Sequence, residues 1–159
     1  MMSKIAQVAL LVGVCTLTAS VAAAQAIVVV DLDGRKTSVG FEGLERRTAI
    51  TADRGLKTTH EGVALRDVLA KAGVPLGAAL KGEALACVVI ATAVDGYRVA
   101  YSMAEIDAGF TDHVILISDR RNGQPLLPDS GPLQVVVPQD KRAARWVRQV
   151  TTLEVRQLQ

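Results

Sequence analysis

Three basic side chains lie close together near the carboxyl end of this chain, at Lys141, Arg142 and Arg145. If the segment Lys141–Trp146 forms one helical turn, Arg142 and Arg145 share a face, because residues three apart are neighbours on a helix. Guanidinium groups bind phosphate or sulfate oxygens through paired hydrogen bonds. The spacing predicts an anion site. The alternative is a solvated surface turn in which the arginine stems lie over Trp146.

The chain has two cysteines, and the second of them, Cys87, is the candidate for thiol chemistry. A thiolate is a nucleophile and a metal ligand. The surrounding run Leu85–Val89 is apolar, however, which favours a buried strand where cysteine packs as a small hydrophobic residue. We therefore expect Cys87 to be buried and to hold no metal, and the sequence predicts no metal site.

The two histidines, His60 and His113, are far apart in sequence and neither has a nearby cysteine pair, so their spacing is not that of a zinc site. His60 precedes the first predicted helix, at a position from which it can line a pocket. The alternative for His60 is an ordinary half-exposed loop residue.

The two tyrosines and the neighbouring acids have ordinary structural explanations. Tyr97 follows the turn signal Asp95-Gly96, and Tyr97 and Tyr101 point to the same side of the returning strand. They either line a ligand edge or pack in the sheet. Glu105 completes a capping box, Ser-x-x-Glu, with Ser102.

The elements that must position these residues are mostly strands. Ala64–Ala72 is the clearest helix, because its leucines and valine share one face and Gly73 follows as a stop. The segment 42–55 reads as a loop with one strand near Thr48–Thr51. Apolar and β-branched runs predict the other strands, over 27–32, 35–41, 84–93, 97–101, 114–118, 133–137 and 149–155. Strands that dominate without regular alternation with helices indicate an α+β fold.

Composition excludes several classes of function. The net charge of +2 is too small for a nucleic-acid footprint. The five aromatic residues are too few for a base- or sugar-stacking platform. We also find no Gly-x-Ser-x-Gly elbow, no His-Glu-x-x-His helix and no phosphate-binding Gly-rich loop.

The amino terminus has the pattern of a signal peptide. Lys4 precedes an apolar stretch, Ile5–Leu17, that is short for a membrane span, and small residues follow it. We expect cleavage after Ala26, with Ala24 as the competing site and a retained anchor helix as the alternative. The prediction is a signal peptide over residues 1–26 and a single domain over 27–159. It implies a general secretory route to the periplasm or the exterior, with no stable membrane span after cleavage.

Several motifs occur in an order that resembles the molybdopterin-binding domain of the sulfite oxidase family. They are Gly62–Leu69, Asp95–Tyr97, Asn122–Leu126, Ser130–Pro138 and Lys141–Val147. The resemblance covers roughly residues 55–155. It implies the α+β fold of that family, with mixed β-sheets and a few short helices.

The resemblance also assigns roles to the basic cluster. Family members carry a Gly-x-Arg-Ser-x-Lys-Trp segment whose polar residues hold the phosphate of the pterin cofactor. By resemblance, Arg142 stands for the family arginine and Arg145 for the lysine, while Ala143 replaces the hydroxyl residue. His60 lies near the place where the family pocket forms. The family's molybdenum-ligating cysteine lies upstream of the Gly62–Leu69 segment, and residues 27–61 contain no cysteine.

Three hypotheses follow. The first is an exported domain that holds no cofactor and binds an anionic small molecule or a periplasmic partner protein through the cleft near Arg142 and Arg145. The second is a molybdopterin-dependent oxidoreductase acting on a small oxyanion or sulfoxide. The third is a structural envelope domain with no ligand. The predicted cofactor-binding residues are Arg142, Arg145 and His60, molybdopterin is the cofactor if one is held, and the sequence leaves open whether the protein is an enzyme.

Overall fold

Two five-stranded sheets and a few short helices form the molecule, as seen in a computed structural model that describes residues 25–53 and 55–158. The strands are β1 (Ala26–Val30), β2 (Lys36–Gly40), β3 (Arg46–Asp53), β4 (Leu56–Ala64), β5 (Cys87–Ala93), β6 (Arg98–Ser102), β7 (Leu116–Arg121), β8 (Gln124–Pro125), β9 (Gln134–Val136) and β10 (Val150–Gln157). The helices are α1 (Leu65–Lys71) and α2 (Met103–Ile106). The predicted α+β fold with mixed sheets is confirmed.

The first sheet has the order β2-β1-β10-β5-β6. β1 and β2 form a hairpin, as the Asp33-Gly34 signal predicts, and Gly34 adopts the positive φ that this turn requires. β10, at the end of the chain, lies parallel to β1 and antiparallel to β5. β5 and β6 form a second antiparallel pair. Because β10 lies between β1 and β5, it joins the two pairs into one sheet.

The second sheet has the order β3-β4-β7-β8, and β9 also pairs with β7. β3 and β4 form a long antiparallel hairpin in which Ala49 lies opposite His60. β4 then pairs with β7, with an irregularity in the register at Glu61 and Gly62. This hairpin corrects the prediction for residues 42–55, since the loop we expected there is mostly strand.

The structure moves several other predicted boundaries. The strand expected over 84–93 begins at Cys87, because residues 82–86 form a 3₁₀ helix. The strand expected to end at Ser118 continues to Arg121, and a turn at Asn122 and Gly123 follows it. The helical turn expected over Lys141–Trp146 is a 3₁₀ turn of three residues, Ala143–Arg145.

Helix α1 packs its apolar face into the core, as its pattern predicts. Leu65, Val68 and Leu69 are fully buried beside strand residues of both sheets. The capping box of α2 is confirmed: the Ser102 hydroxyl accepts from the Glu105 amide, and the Glu105 carboxylate accepts from the Ser102 amide. Over the described part of the chain, no helix has the length and apolar character needed to cross a bilayer. Residues 1–24 of the predicted signal peptide lie outside the described residues.

Candidate functional site

A cleft of about 470 Å³ lies between the β3–β4 hairpin and the segment that follows β9. We call it the histidine cleft. Its walls carry two threonines, a histidine, three basic side chains and a tryptophan. The lining residues are Thr51, Ala52, Thr58, His60, Arg121, Pro138, Asp140, Lys141, Arg142, Ala143 and Trp146.

The sheet register brings the inner residues of the cleft together. Thr58 and His60 are two apart on β4, so they share a face. Thr51 lies opposite Thr58 on β3, and Arg121 lies opposite His60 on β7. Three strands that are separate in sequence thus place four polar side chains on one surface of the sheet.

His60 is the most buried polar residue of the cleft, with 1% of its surface exposed. Its Nε2 lies 3.2 Å from the Thr51 hydroxyl, and its ring meets Trp146 edge to face at 5.2 Å. Nδ1 is buried and has no hydrogen-bond partner among the residues that the structure describes. Burial, and then the nearby Arg121 cation, lower the pKa of His60 to about 4, so the ring is neutral at pH 7. The half-exposed loop histidine considered from sequence is therefore wrong: His60 is a buried strand residue.

Arg121 is a functional candidate that sequence reasoning missed. Its Nη2 donates to the Gln134 side-chain oxygen at 3.2 Å, while its Nε is buried and has no partner within residues 25–53 and 55–158. It lies beyond the end of the strand that we predicted over 114–118. Only the register of β7 against β4 places it beside His60.

Lys141 and Arg142 form the outer, exposed part of the cleft. Neither makes an ion pair with any residue that the structure describes. Asp140 is the only carboxylate among the lining residues, and both of its oxygens accept hydrogen bonds from Arg145. The cleft is therefore positive in character, and its one negative group is already neutralised.

Arg145 does not line the cleft and instead anchors the segment that does. Its guanidinium pairs with Asp140 at 2.8 Å and with Glu105 at 3.0 Å, and it lies 5.5 Å from the centre of the Tyr101 ring. The two carboxylates, Asp140 first, raise the pKa of Arg145. The structure thus separates the two arginines that the sequence grouped: Arg142 faces the cleft and Arg145 faces the protein.

Both tyrosines form hydrogen bonds to the 3₁₀ turn Ala143–Arg145. The Tyr97 hydroxyl donates to the Ala144 carbonyl at 2.6 Å, and the Tyr101 hydroxyl donates to the Arg145 carbonyl. Trp146 donates from its indole to the Val137 carbonyl at 3.0 Å. Three side chains therefore fix the backbone on which Lys141 and Arg142 are carried.

We expect Arg145→Met to lower the free energy of unfolding by about 1–2 kcal/mol, because Asp140 and Glu105 lose their shared partner while staying close together. Urea unfolding at pH 7 measures the change. Arg156→Met is the matched control, since Arg156 makes only an exposed pair with Glu154; it should change stability by less than about 0.5 kcal/mol. Equal effects of the two substitutions would show that the Arg145 pairs do not anchor the segment.

Cys87 lies apart from the histidine cleft. It is buried, at 4% exposure, and lines a smaller, mainly apolar cleft of about 260 Å³ together with residues such as Met103 and Val155. Its sulfur lies 3.9 Å from the Glu83 carbonyl oxygen. The expectation that Cys87 is buried as a small hydrophobic residue is confirmed.

His113 is exposed and lines neither cleft. Within residues 25–53 and 55–158, no group of three His, Cys, Asp or Glu side chains has the arrangement of a metal site.

The fold agrees with the comparison of the sequence with known families. A family model described as the oxidoreductase molybdopterin binding domain matches residues 20–159. The chain belongs to this family, and the resemblance stated from the motifs is confirmed. A comparison with curated proteins finds no match.

Proposed function

We propose that this protein binds an anionic small molecule in the histidine cleft. The observation that carries the proposal is the charge of the cleft. Three cationic side chains, Arg121, Lys141 and Arg142, line it, and its single carboxylate is paired with Arg145. Charge-assisted hydrogen bonds from arginine and lysine to an oxyanion are among the strongest that a protein makes.

The buried part of the cleft supports a ligand with oxygen acceptors. The Arg121 Nε has no partner in the described part of the chain, and an N–H group buried without an acceptor destabilises the fold. A ligand oxygen reaching this depth would supply the acceptor. His60 is neutral at pH 7, so it contributes a hydrogen-bonding ring atom and not a charge.

The donors of the cleft suit the anionic part of the family's pterin cofactor better than its metal. Lys141 and Arg142 would hold the phosphate, and His60 would line the inner pocket. Arg145 would act indirectly, by holding Asp140 away from the anion. No thiolate lies in the lining, because Cys87 belongs to the other cleft. When bound, the molybdenum cofactor supplies two-electron redox chemistry in this family, but these residues offer it no protein sulfur ligand.

We expect the protein to bind inorganic phosphate or sulfate, and the double substitution Lys141→Glu, Arg142→Glu to weaken this binding at least tenfold, through loss of about 1.4 kcal/mol or more. Isothermal titration calorimetry at low salt measures it. Lys81→Glu with Arg148→Glu is the control with the same charge change, because both residues are exposed outside the lining of the cleft. Equal weakening by the two pairs would mean that only net charge matters, and no binding at all would favour the structural domain without a ligand.

The second candidate function is a molybdopterin-dependent oxidoreductase acting on a small oxyanion or sulfoxide, and membership of the family favours it. We also propose that the chain is exported to the periplasm or the exterior. Both proposals are tested on protein purified from its native compartment. Elemental analysis for molybdenum tests the oxidoreductase, and determination of the first residue tests export with cleavage. Stoichiometric molybdenum would replace the binding proposal with the oxidoreductase. An intact Met1 would contradict export with cleavage.

A further inference from the structure

Strand β3 is the outermost strand of its sheet and has one partner, β4, among the described residues. It runs for eight residues without proline and without an irregularity in its register with β4. Edge strands of this kind are normally protected, because their unpaired backbone groups can accept another strand.

The register identifies which backbone groups of β3 are free. Thr59 of β4 accepts from the Asn122 amide at 2.8 Å and donates to the Asn122 side chain, so both of its backbone groups point towards β7. Ile50 lies opposite Thr59, and in an antiparallel pair such a residue directs its own N–H and C=O away from β4. Thr48 and Ala52 lie two residues before and after Ile50, so their N–H and C=O groups also point away from β4.

The two faces of the sheet differ in chemistry beside the free edge of β3. On one side, the Thr51 side chain lies in the histidine cleft, whose lining includes Lys141 and Arg142. On the other side, the side chain of Ile50 is 65% exposed, and the neighbouring Thr48 and Thr59 are β-branched. Successive side chains of an added strand would alternate between these two surroundings.

We propose that β3 accepts an extended segment of a partner protein in which acidic and apolar residues alternate. The backbone of the segment pairs with Thr48, Ile50 and Ala52, and this pairing supplies affinity. Its carboxylates lie on the side of Lys141 and Arg142, and its apolar side chains cover Ile50. A second copy of this chain fits less well, since one of the two consecutive arginines of its β3, Arg46 or Arg47, would face a cleft that is already positive.

A fluorescein-labelled peptide of alternating glutamate and valine, about seven residues long, tests the proposal by fluorescence anisotropy. We expect saturable binding, and no binding of the peptide in which lysine replaces glutamate. Ile50→Pro removes a free N–H without removing a bond to β4, and should weaken binding at least about tenfold. Thr48→Pro should act in the same way.

Ser38→Pro is the matched control. Ser38 lies on β2, the outermost strand of the other sheet, where the register with β1 also directs its N–H outwards, and binding should be unchanged. Wild-type affinity in both Ile50→Pro and Thr48→Pro would overturn the proposal. So would a wild-type dimer in analytical ultracentrifugation that Ile50→Pro dissociates, because the occupant would then be a second copy.

The inference stands apart from the anion-binding proposal, although the two share Lys141 and Arg142. Ile50→Pro should leave phosphate binding unchanged, and Lys141→Glu with Arg142→Glu should weaken both ligands. Peptide binding in a protein that binds no phosphate would contradict only the proposed function. Phosphate binding in a protein that binds no acidic peptide would contradict only the strand-addition proposal.

Discussion

Lowering the pH from 7 to 4 should reduce the free energy of unfolding by about 3 kcal/mol through His60 alone. The pKa of His60 is about 4 in the folded protein, compared with 6.5 for an unperturbed histidine. Each unit of difference corresponds to about 1.36 kcal/mol of interaction. Protonation of this single buried ring therefore removes a large share of the stability of a domain of this size.

The direction follows from proton binding. Because burial lowers the pKa, the unfolded chain takes up a proton below pH 6.5 while the folded chain stays neutral until about pH 4. The full free energy of unfolding is present above pH 6.5, and about 3 kcal/mol of it is lost as the pH falls from 6.5 to 4. Below pH 4 both states carry the proton, and His60 contributes no further change.

Urea unfolding of the wild type and of His60→Phe at pH 7, 5.5 and 4 measures this term. Phenylalanine keeps a ring against Trp146 and does not titrate, so the wild type should lose about 3 kcal/mol of stability relative to His60→Phe between pH 7 and 4. His113→Gln is the matched control because it removes an exposed histidine and keeps His60, so the loss of about 3 kcal/mol should persist in this variant. Parallel curves for His60→Phe would show that His60 titrates normally in the folded state.

The features predicted well from sequence depend on neighbours in the chain. The capping box of α2 involves Ser102 and Glu105, three residues apart, and the hairpin at Asp33-Gly34 depends on one turn. The helical pattern of α1 arises from one face of seven residues. Local physics decides these elements, so the sequence displays them.

The strand missed most completely is β4, and its composition explains why. The segment Leu56–Ala64 contains Lys57, three polar residues in succession and Glu61, which do not alternate as a half-buried strand does. Its outer half lies in an exposed hairpin, where pairing with β3 and not burial stabilises it. The sequence therefore leaves a loop position open for His60, although its neighbours on β3 and β7 bury it.

The part of the candidate site that is contiguous in the chain could be predicted, and the part formed by distant residues could not. The basic cluster is contiguous, so Arg142 was found together with the segment that carries it. The contribution of Arg121 depends on its register against His60, and the anchoring role of Arg145 depends on Glu105, forty residues earlier. Contacts of this kind form only when the chain folds, and a single sequence carries no signal for them.

Gly62→Ala should destabilise the protein by roughly 3 kcal/mol or more, the largest effect that we expect from one added carbon. Gly62 lies where the register of β4 against β7 shifts. A Cβ at this position would lie 2.0 Å from the Ile117 carbonyl oxygen and 2.7 Å from the Ser118 Cα. Both are backbone atoms of a central strand, so the change of a rotamer cannot relieve the clash, and β4 must move away from β7.

Gly40→Ala is the control for the added methyl group. Gly40 lies on the edge strand β2, its φ is not positive, and the atoms nearest to a Cβ there belong to the flexible carboxylate of Glu42. We expect a change of less than about 1 kcal/mol, since alanine also restricts the unfolded chain. Thermal and urea unfolding of both variants measure the difference.

Separation of β4 from β7 would also move His60 away from Arg121. Gly62→Ala should therefore weaken phosphate binding wherever the variant still folds, whereas Gly40→Ala should leave phosphate binding unchanged. Equal stability of the two variants would show that the β4–β7 contact at Gly62 is looser than the structure indicates.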